Sequence, residues 1–269
     1  MLQRMPQYEK AAKRVLREFD VHLADMPYSA CCGAPLESFT DEWLYLAAYN
    51  LSRAETMELD ILALCGNCAS TLSRAVEALE DPLLAKEAND RLGKIGLRYR
   101  GKVEVKHLVR VLSEHLDDLK EQIDQELPLK VALTHPCQAF RPHTLLRFDD
   151  PLQPRAMRDI VELTGAEVIT YKGEYDCCGS TLYLADEELA LKAGQQKLRS
   201  AAGADILINA CGNCQLLLER FQDLIRQQRP VPELPVMTLP QLLGLAMGID
   251  AAELGITPAT AERLSQSAT

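Results

Sequence analysis

The sequence predicts an α/β fold of two duplicated Cys-Cys-Gly half-domains. Each is expected to be a short parallel sheet flanked by helices, with the two related by a pseudo-two-fold. Three observations carry this expectation. Short apolar runs of strand length alternate with helix-length segments along the 269 residues. Cys31-Cys32-Gly33 and Cys65-Gly66-Asn67-Cys68 return as Cys177-Cys178-Gly179 and Cys211-Gly212-Asn213-Cys214, each cysteine 146 positions later. Leu59-Asp60-Ile61-Leu62 returns as Ala204-Asp205-Ile206-Leu207 at an offset of 145, so the repeat reaches beyond the cysteines. The halves are expected at 1–127 and 128–249, followed by a tail over 250–269.

The elements follow in order. Residues 8–19 have helical periodicity, and 21–23 form a short extended run. A second helix is expected over 41–57 with Asp41 as its N-cap. A strand over 59–64 ends at Cys65, and helices follow over 67–79, 82–95 and 105–116. The charge-rich stretch 117–126 joins the halves. The second half repeats the plan, with strands over 130–133, 167–170 and 205–209. Its helices are expected over 155–163, 186–202 and 213–228, and residues 236–238 lead into a last helix over 240–247. The Ala/Thr/Ser-rich tail from Asp250 is expected to fray.

Composition removes several classes of function. Lys and Arg total 29 against 39 Asp and Glu, a net charge of −10, which argues against nucleic acid or an anionic membrane as the main partner. Apolar residues at 47% and charged residues at 25% exclude disordered and fibrous chains. Aromatics make up 5%, so the core rests on Leu, Ala, Ile and Val. No apolar run approaches the roughly 20 residues of a bilayer span. The first ten residues carry no signal-peptide h-region, and the expected location is cytoplasmic.

Nine cysteines, an odd number, disfavour a disulfide scaffold in a chain with no secretion signal. Each half reads CCG-x31-CGNC, and the second half adds Cys137 to give C-x39-CC-x32-C-x2-C. Cys137 has no partner in the first half, because a position 146 residues earlier falls before Met1. The first set is therefore one ligand short, or the natural chain starts earlier. Each CGNC is expected at the carboxyl end of a strand, opening a helix whose N-terminal amides favour thiolates and anionic clusters. Three chemistries compete. A thioredoxin-like dithiol at each CGNC suits the strand–CxxC–helix context but leaves the Cys-Cys pairs idle. Structural zinc suits four thiolates, yet neighbouring cysteines diverge and the second set has five. A polynuclear iron–sulfur centre employs every cysteine.

The cysteine pattern resembles that of the cysteine-rich CCG family, as found in the B subunit of heterodisulfide reductase and its bacterial relatives. The resemblance extends through Cys31-Cys32-Gly33-Ala34-Pro35, the helix of Trp43, 59–65, 103–107, Arg141-Pro142, 148–151 and 239–248. It implies an oxidoreductase acting on sulfur groups, with two non-cubane [4Fe–4S] clusters facing each other across the halves and a disulfide reduced, or formed, between them. Carried over by position, the second cluster would take Cys137, Cys177, Cys178, Cys211 and Cys214. The first would take Cys31, Cys32, Cys65 and Cys68, with a full cluster, an incomplete one or zinc. No GxGxxG fingerprint and no C-x2-C-x2-C run occurs, so flavin and cubane clusters are expected on other subunits. The implied partners are a ferredoxin-like iron–sulfur subunit, an FAD-containing subunit and a disulfide or thiol substrate. The alternatives are a non-catalytic electron relay in a dehydrogenase or quinone oxidoreductase complex, and a zinc-stabilised assembly module.

Other residues carry weaker signals. His135, two positions before Cys137, is a candidate proton donor, against the plainer reading of a hydrogen-bonded histidine at a strand end. His107 and His115 are expected on a helix as surface or packing residues. Arg141 and His143 suit an anion, or pairing with Asp149 and Asp150. Trp43, Tyr45 and Tyr49 are expected in the core.

Overall fold

The computed structural model describes residues 5–228 and 230–267. In chain order, helix α1 (Pro6–Leu16) is followed by α2 (Glu42–Thr56), strand β1 (Ile61–Ala63), α3 (Gly66–Ala78), α4 (Pro82–Leu92) and β2 (Val105–His107). Helices α5 (Leu108–Glu114) and α6 (Leu116–Glu121) lead to β3 (Lys130–Thr134), α7 (His143–Leu146), α8 (Ala156–Glu162) and β4 (Glu167–Val168). Then come α9 (Glu187–Ser200), β5 (Ile206–Asn209), α10 (Gly212–Gln215), a π-turn over Leu216–Arg220 and α11 (Gln222–Gln228). Strand β6 (Val236–Thr238), α12 (Leu239–Ala246) and α13 (Pro258–Ser267) complete the chain.

Compactness groups these elements into two units, and neither is one continuous stretch of chain. The smaller unit is Ala24–Leu108 with Gln138–Pro151. The larger comprises residues through Leu23, Val109–Cys137 and Leu152 onward. Each cysteine repeat lies within one unit, while the segment after Cys137 joins the unit of the other repeat.

In the smaller unit β1 and β2 pair in parallel, Ile61 with Val105 and Ala63 with His107. Helices α2, α3 and α4 close over a core of Leu44, Leu51, Leu72, Leu79 and Leu92. Trp43, Tyr45 and Tyr49 pack on its margin, half-buried. Arg91 lies 3.5 Å above the Tyr45 ring, and Tyr49 donates to the Tyr28 carbonyl at 2.7 Å. The segment holding α7 packs against α3, where Ser70 Oγ donates to the Arg141 carbonyl at 3.0 Å. Arg141 Nε in turn donates to the Pro151 carbonyl at 2.9 Å.

In the larger unit four parallel strands run in the order β4–β3–β5–β6. Val131, Ala132, Leu133, Ile206, Leu207 and Ile208 are fully buried, as expected of parallel strands covered on both faces. Thr238 and Gln241 form a reciprocal capping box at the start of α12, against which α1 packs.

The parallel α/β architecture, repeated in each unit, agrees with the sequence expectation, and several local details are corrected. Asp41 does not cap α2: its backbone is already helical (φ −73°, ψ −6°), and Thr40 Oγ1 accepts from the Glu42 amide instead. Residues 105–107 belong to β2, not to a helix, because β1 offers them a parallel partner. This puts His107 at a strand end, buried, while His115 precedes α6 and bonds Asp118. Residues 21–23, expected as an extended run, lie in no helix and pair with no strand. The helix expected over 213–228 is broken by the π-turn. The tail does not fray as a whole: Leu254 is fully buried, and a side chain on Gly244 would collide with it. Gln241 Nε2 donates to the Leu254 carbonyl at 3.3 Å, and Arg263 of α13 pairs with Glu233. Leu254→Ala is expected to destabilise the larger unit by about 2–5 kcal/mol, read as a lower urea midpoint than wild type.

Candidate metal centres

The two cysteine sets are built by the same backbone device. After each Cys-Cys pair the chain turns through a left-handed glycine, Gly33 at φ 96°, ψ −14° and Gly179 at φ 94°, ψ −8°. A Cβ at Gly33 would lie 2.6 Å from the Trp43 carbonyl oxygen, and one at Gly179 would lie 2.7 Å from Ala193 Cβ and 3.0 Å from the Ala190 carbonyl oxygen. Only glycine accepts both the angle and the closeness of the following helix. The CGNC segments match as well. Cys65 is the extended N-cap of α3 (φ −147°, ψ 128°), and Cys211 that of α10 (φ −141°, ψ 125°). Each segment leaves the carboxyl end of a parallel strand, β1 or β5, and opens a helix there.

The second set lies within the larger unit. Strand order β4–β3–β5–β6 reverses direction of growth at β3, so the carboxyl ends of β3 and β5 flank a topological switch point, the usual place for a site in an open α/β sheet. Cys137 follows β3 and Cys211 follows β5, and the strands pair up to Thr134 opposite Asn209. Sulfur contacts then link all five cysteines. The Cys177 thiolate accepts from the Cys137 and Cys178 thiols, and the single Cys214 proton is shared between Cys178 and Cys211. These contacts hold the Cys177 thiol far below its ordinary pKa, with the Gly179 amide 3.3 Å from its sulfur adding to the effect. The donors Cys137, Cys178 and Cys214 are pushed up, first by giving their protons to neighbouring sulfur and then by burial.

A buried polar frame holds this set. Asn209 Oδ1 accepts from the Cys211 amide at 3.2 Å, and its Nδ2 donates to Gln215 Oε1 and to the Met237 carbonyl. The matching positions in the first set are Ala63 and Ala69, so that frame belongs to the second set alone. Lys197 Nζ donates to the carbonyls of Gly173 (2.9 Å) and Glu174 (3.2 Å), just ahead of the Cys-Cys pair. Burial lowers the Lys197 pKa, and Cys214, Cys178, Asp176 and Cys177 oppose that shift when they are ionised.

His135 is 5% exposed, and its Nε2 bonds Glu174 Oε1 at 3.2 Å. Arg158 Nη2 donates to the same oxygen at 2.9 Å. Burial would raise the Glu174 carboxyl, but His135 and Arg158 outweigh it and hold the pKa below its ordinary value. The His135 ring stacks on Tyr175 at 5.4 Å, and its Nδ1 has no hydrogen-bond partner among the described residues. The structure thus gives His135 a fixed orientation through Glu174.

The first set lies within the smaller unit. Cys32 donates to Cys68, which with burial pushes the Cys32 thiol up, and Cys31 adds a smaller electrostatic contribution. Cys32 and Cys65 are buried and Cys31 is exposed. Asn50 braces the pair: its Oδ1 accepts from the Ala30 amide at 2.9 Å and its Nδ2 donates to the Cys31 carbonyl at 3.1 Å. Arg141 and His143 lie in this unit too, in the segment packed on α3.

Among the described residues, no group of three or more His, Cys, Asp or Glu side chains is arranged to hold a single metal ion. The sulfurs bond to one another, and five of them converge at the second set. That donor chemistry suits a polynuclear iron–sulfur group better than one tetrahedral ion. Lys197, Asn50, Glu174 and Arg158 were not singled out by sequence reasoning. For Lys197 a signal existed: it falls on the buried stripe of Ala190, Leu191, Gly194 and Leu198, where a lysine needs a reason.

The family described as "CCG: Cysteine-rich domain" matches residues 1–73 and 131–219, one cysteine repeat in each segment. The B subunit of a ferredoxin:CoB-CoM heterodisulfide reductase from Methanosarcina mazei is 34% identical over 94% of this chain and 88% of its own. A relative named 8-methylmenaquinol:fumarate reductase membrane anchor subunit, from Wolinella succinogenes, is 31% identical over 92% of this chain and 89% of its own. The crystal structure of a hypothetical protein from Helicobacter pylori superposes with a TM-score of 0.71 at 19% identity, over 93% of this chain and 47% of that one, and shows the same fold. With both cysteine repeats matched and the Methanosarcina mazei protein aligned along nearly its whole length, this chain belongs to the CCG cysteine-rich domain family.

Proposed function

We propose that this protein is the disulfide-handling iron–sulfur subunit of a heterodisulfide reductase-like complex. The observation that carries the proposal is the convergence of five cysteine sulfurs at the switch point of the larger unit, with four of those cysteines repeated in the sequence of the smaller. Cys137, Cys177, Cys178, Cys211 and Cys214 would hold a non-cubane [4Fe–4S] cluster. Cys31, Cys32, Cys65 and Cys68 would hold a second iron–sulfur centre, with zinc as the alternative occupant. When bound, these groups supply electrons singly to a disulfide whose cleavage needs two.

The chain's own residues define the setting. The glycine turns bring amides against sulfur, the Gly179 amide already lying on Cys177, and such bonds stabilise the more negative, reduced state. The polar frame of Asn209 and Gln215 fixes the CGNC turn. His135, oriented by Glu174, is the proposed proton donor to a departing thiolate. No helix among the described residues is long and apolar enough to cross a membrane. The reading puts the protein in the cytoplasm, where thiols stay reduced. It also assigns electron supply to a ferredoxin-like subunit and an FAD-containing subunit.

A second reading, a non-catalytic electron relay, is favoured by the relative named as a fumarate reductase subunit. Disulfide turnover by the isolated protein with an artificial electron donor separates the two, since a relay gives none.

Anaerobically purified protein is expected to contain iron and acid-labile sulfide. Stoichiometric zinc without iron would refute the reading. Cys177→Ser or Cys211→Ser is expected to remove most of the cluster's electron paramagnetic resonance signal, and Cys31→Ser or Cys65→Ser a different, smaller part. Purification from the native host should bring down an iron–sulfur and a flavin subunit. Full activity of a lone monomer with a physiological donor would contradict this.

A further inference from the structure

Helices α2 and α9 do the same work in the two units, and the residue that does it carries a different charge in each. The register between them comes from the glycine turns. Gly33 lies under the Cα and carbonyl of Trp43, and Gly179 under those of Ala190, so Trp43 matches Ala190. Seven residues on, two helical turns along the same face, stand Asn50 and Lys197. Their bonds support the match independently. Asn50 ties down Ala30 and the Cys31 carbonyl, while Lys197 ties down the carbonyls of Gly173 and Glu174, in each case the chain entering the Cys-Cys pair.

Both residues are 3% exposed. Bracing the chain that enters the pair requires no charge, as Asn50 demonstrates. A buried lysine carries a desolvation cost that asparagine does not. The ammonium of Lys197 donates to carbonyls rather than to a carboxylate, and Asp176 is only an electrostatic neighbour. Its remaining neighbours are the Tyr171 ring, 5.7 Å from Nζ, and three members of the second set, Cys214, Cys178 and Cys177, which favour its charge when they are thiolates. A cation held beside a metal–sulfur group stabilises whichever state is more negative, which is the reduced one.

Resting on the iron–sulfur reading above, we infer that Lys197 is a buried positioning cation that makes the second centre more readily reduced than its cysteines alone would, while Asn50 braces the first without charge. This difference in charge is built into one matched side-chain position of the two helices. Its size should be that of other close cation effects, where one neighbouring charge moves an equilibrium tenfold or more.

The test is a redox titration of the two centres, followed by electron paramagnetic resonance, in the full chain and in two variants that keep a donor at the position. In Lys197→Gln the ratio of reduced to oxidised second centre at a fixed potential should fall about tenfold, about 59 mV for a one-electron couple. Lys197→Arg should titrate like wild type, and the first centre should be unmoved in both. Loss of second-centre iron from Lys197→Gln alone supports the same inference, because charge and not shape is then required. Equal shifts in both variants, no shift in either, or loss of iron from both would overturn it and leave Lys197 a scaffold residue. Wild-type protein lacking iron and sulfide would refute the cofactor reading instead, a result visible before any variant is titrated.

Discussion

Parallel pairing of β3 with β5 is the constraint on which the second centre depends. It sets Thr134 beside Asn209, and so delivers Cys137 and Cys211 to the same edge of the sheet although they are far apart in the chain. Strand β4 lies on one side of β3 and β5 on the other, so the connections diverge and leave a crevice at the carboxyl ends. Burial of Val131, Leu133, Ile206 and Ile208 on one face, and of Ala132 and Leu207 on the other, holds that pairing in place. A slip by one residue would exchange the side chains packed on the two faces and carry Cys137 away from its partners.

A second constraint acts on each Cys-Cys pair. Neighbouring side chains diverge, so both sulfurs can serve one site only if the backbone bends sharply after them. The left-handed glycine makes that bend, and the closeness of Trp43 or Ala190 leaves no room for any other residue. The helix that presses on the glycine also braces the chain on the other side of the pair, through Asn50 or Lys197. Turn, helix and brace therefore form one mechanical unit, used twice.

Duplication has not produced identical sites. The second set has the buried amide frame of Asn209 and Gln215, a fifth cysteine and a buried lysine. The first has Ala63, Ala69 and Asn50 at the matching places and a two-stranded sheet among the described residues. Each difference bears on charge or rigidity around sulfur. Those are the properties by which a protein tunes a redox centre without altering its ligands.

The sequence by itself determined the duplication, the cysteine sets and the α/β class, because covalent spacing and apolar periodicity survive without any knowledge of contacts. It placed CGNC at strand ends correctly, since a short apolar run followed by Gly and a helical stretch is a local signal. It misread 105–107 as helix and the tail as frayed, because β2 exists only through β1, and Leu254 is held by α12, through the space at Gly244 and the Gln241 amide. Nor could it show that Glu174 orients His135, 39 positions away, or that Lys197 reaches back 24 positions to Gly173. Those partners are chosen by the packing of α8 and α9 around the sheet. A buried charge acquires its meaning from what is packed beside it, and only the tertiary structure decides that.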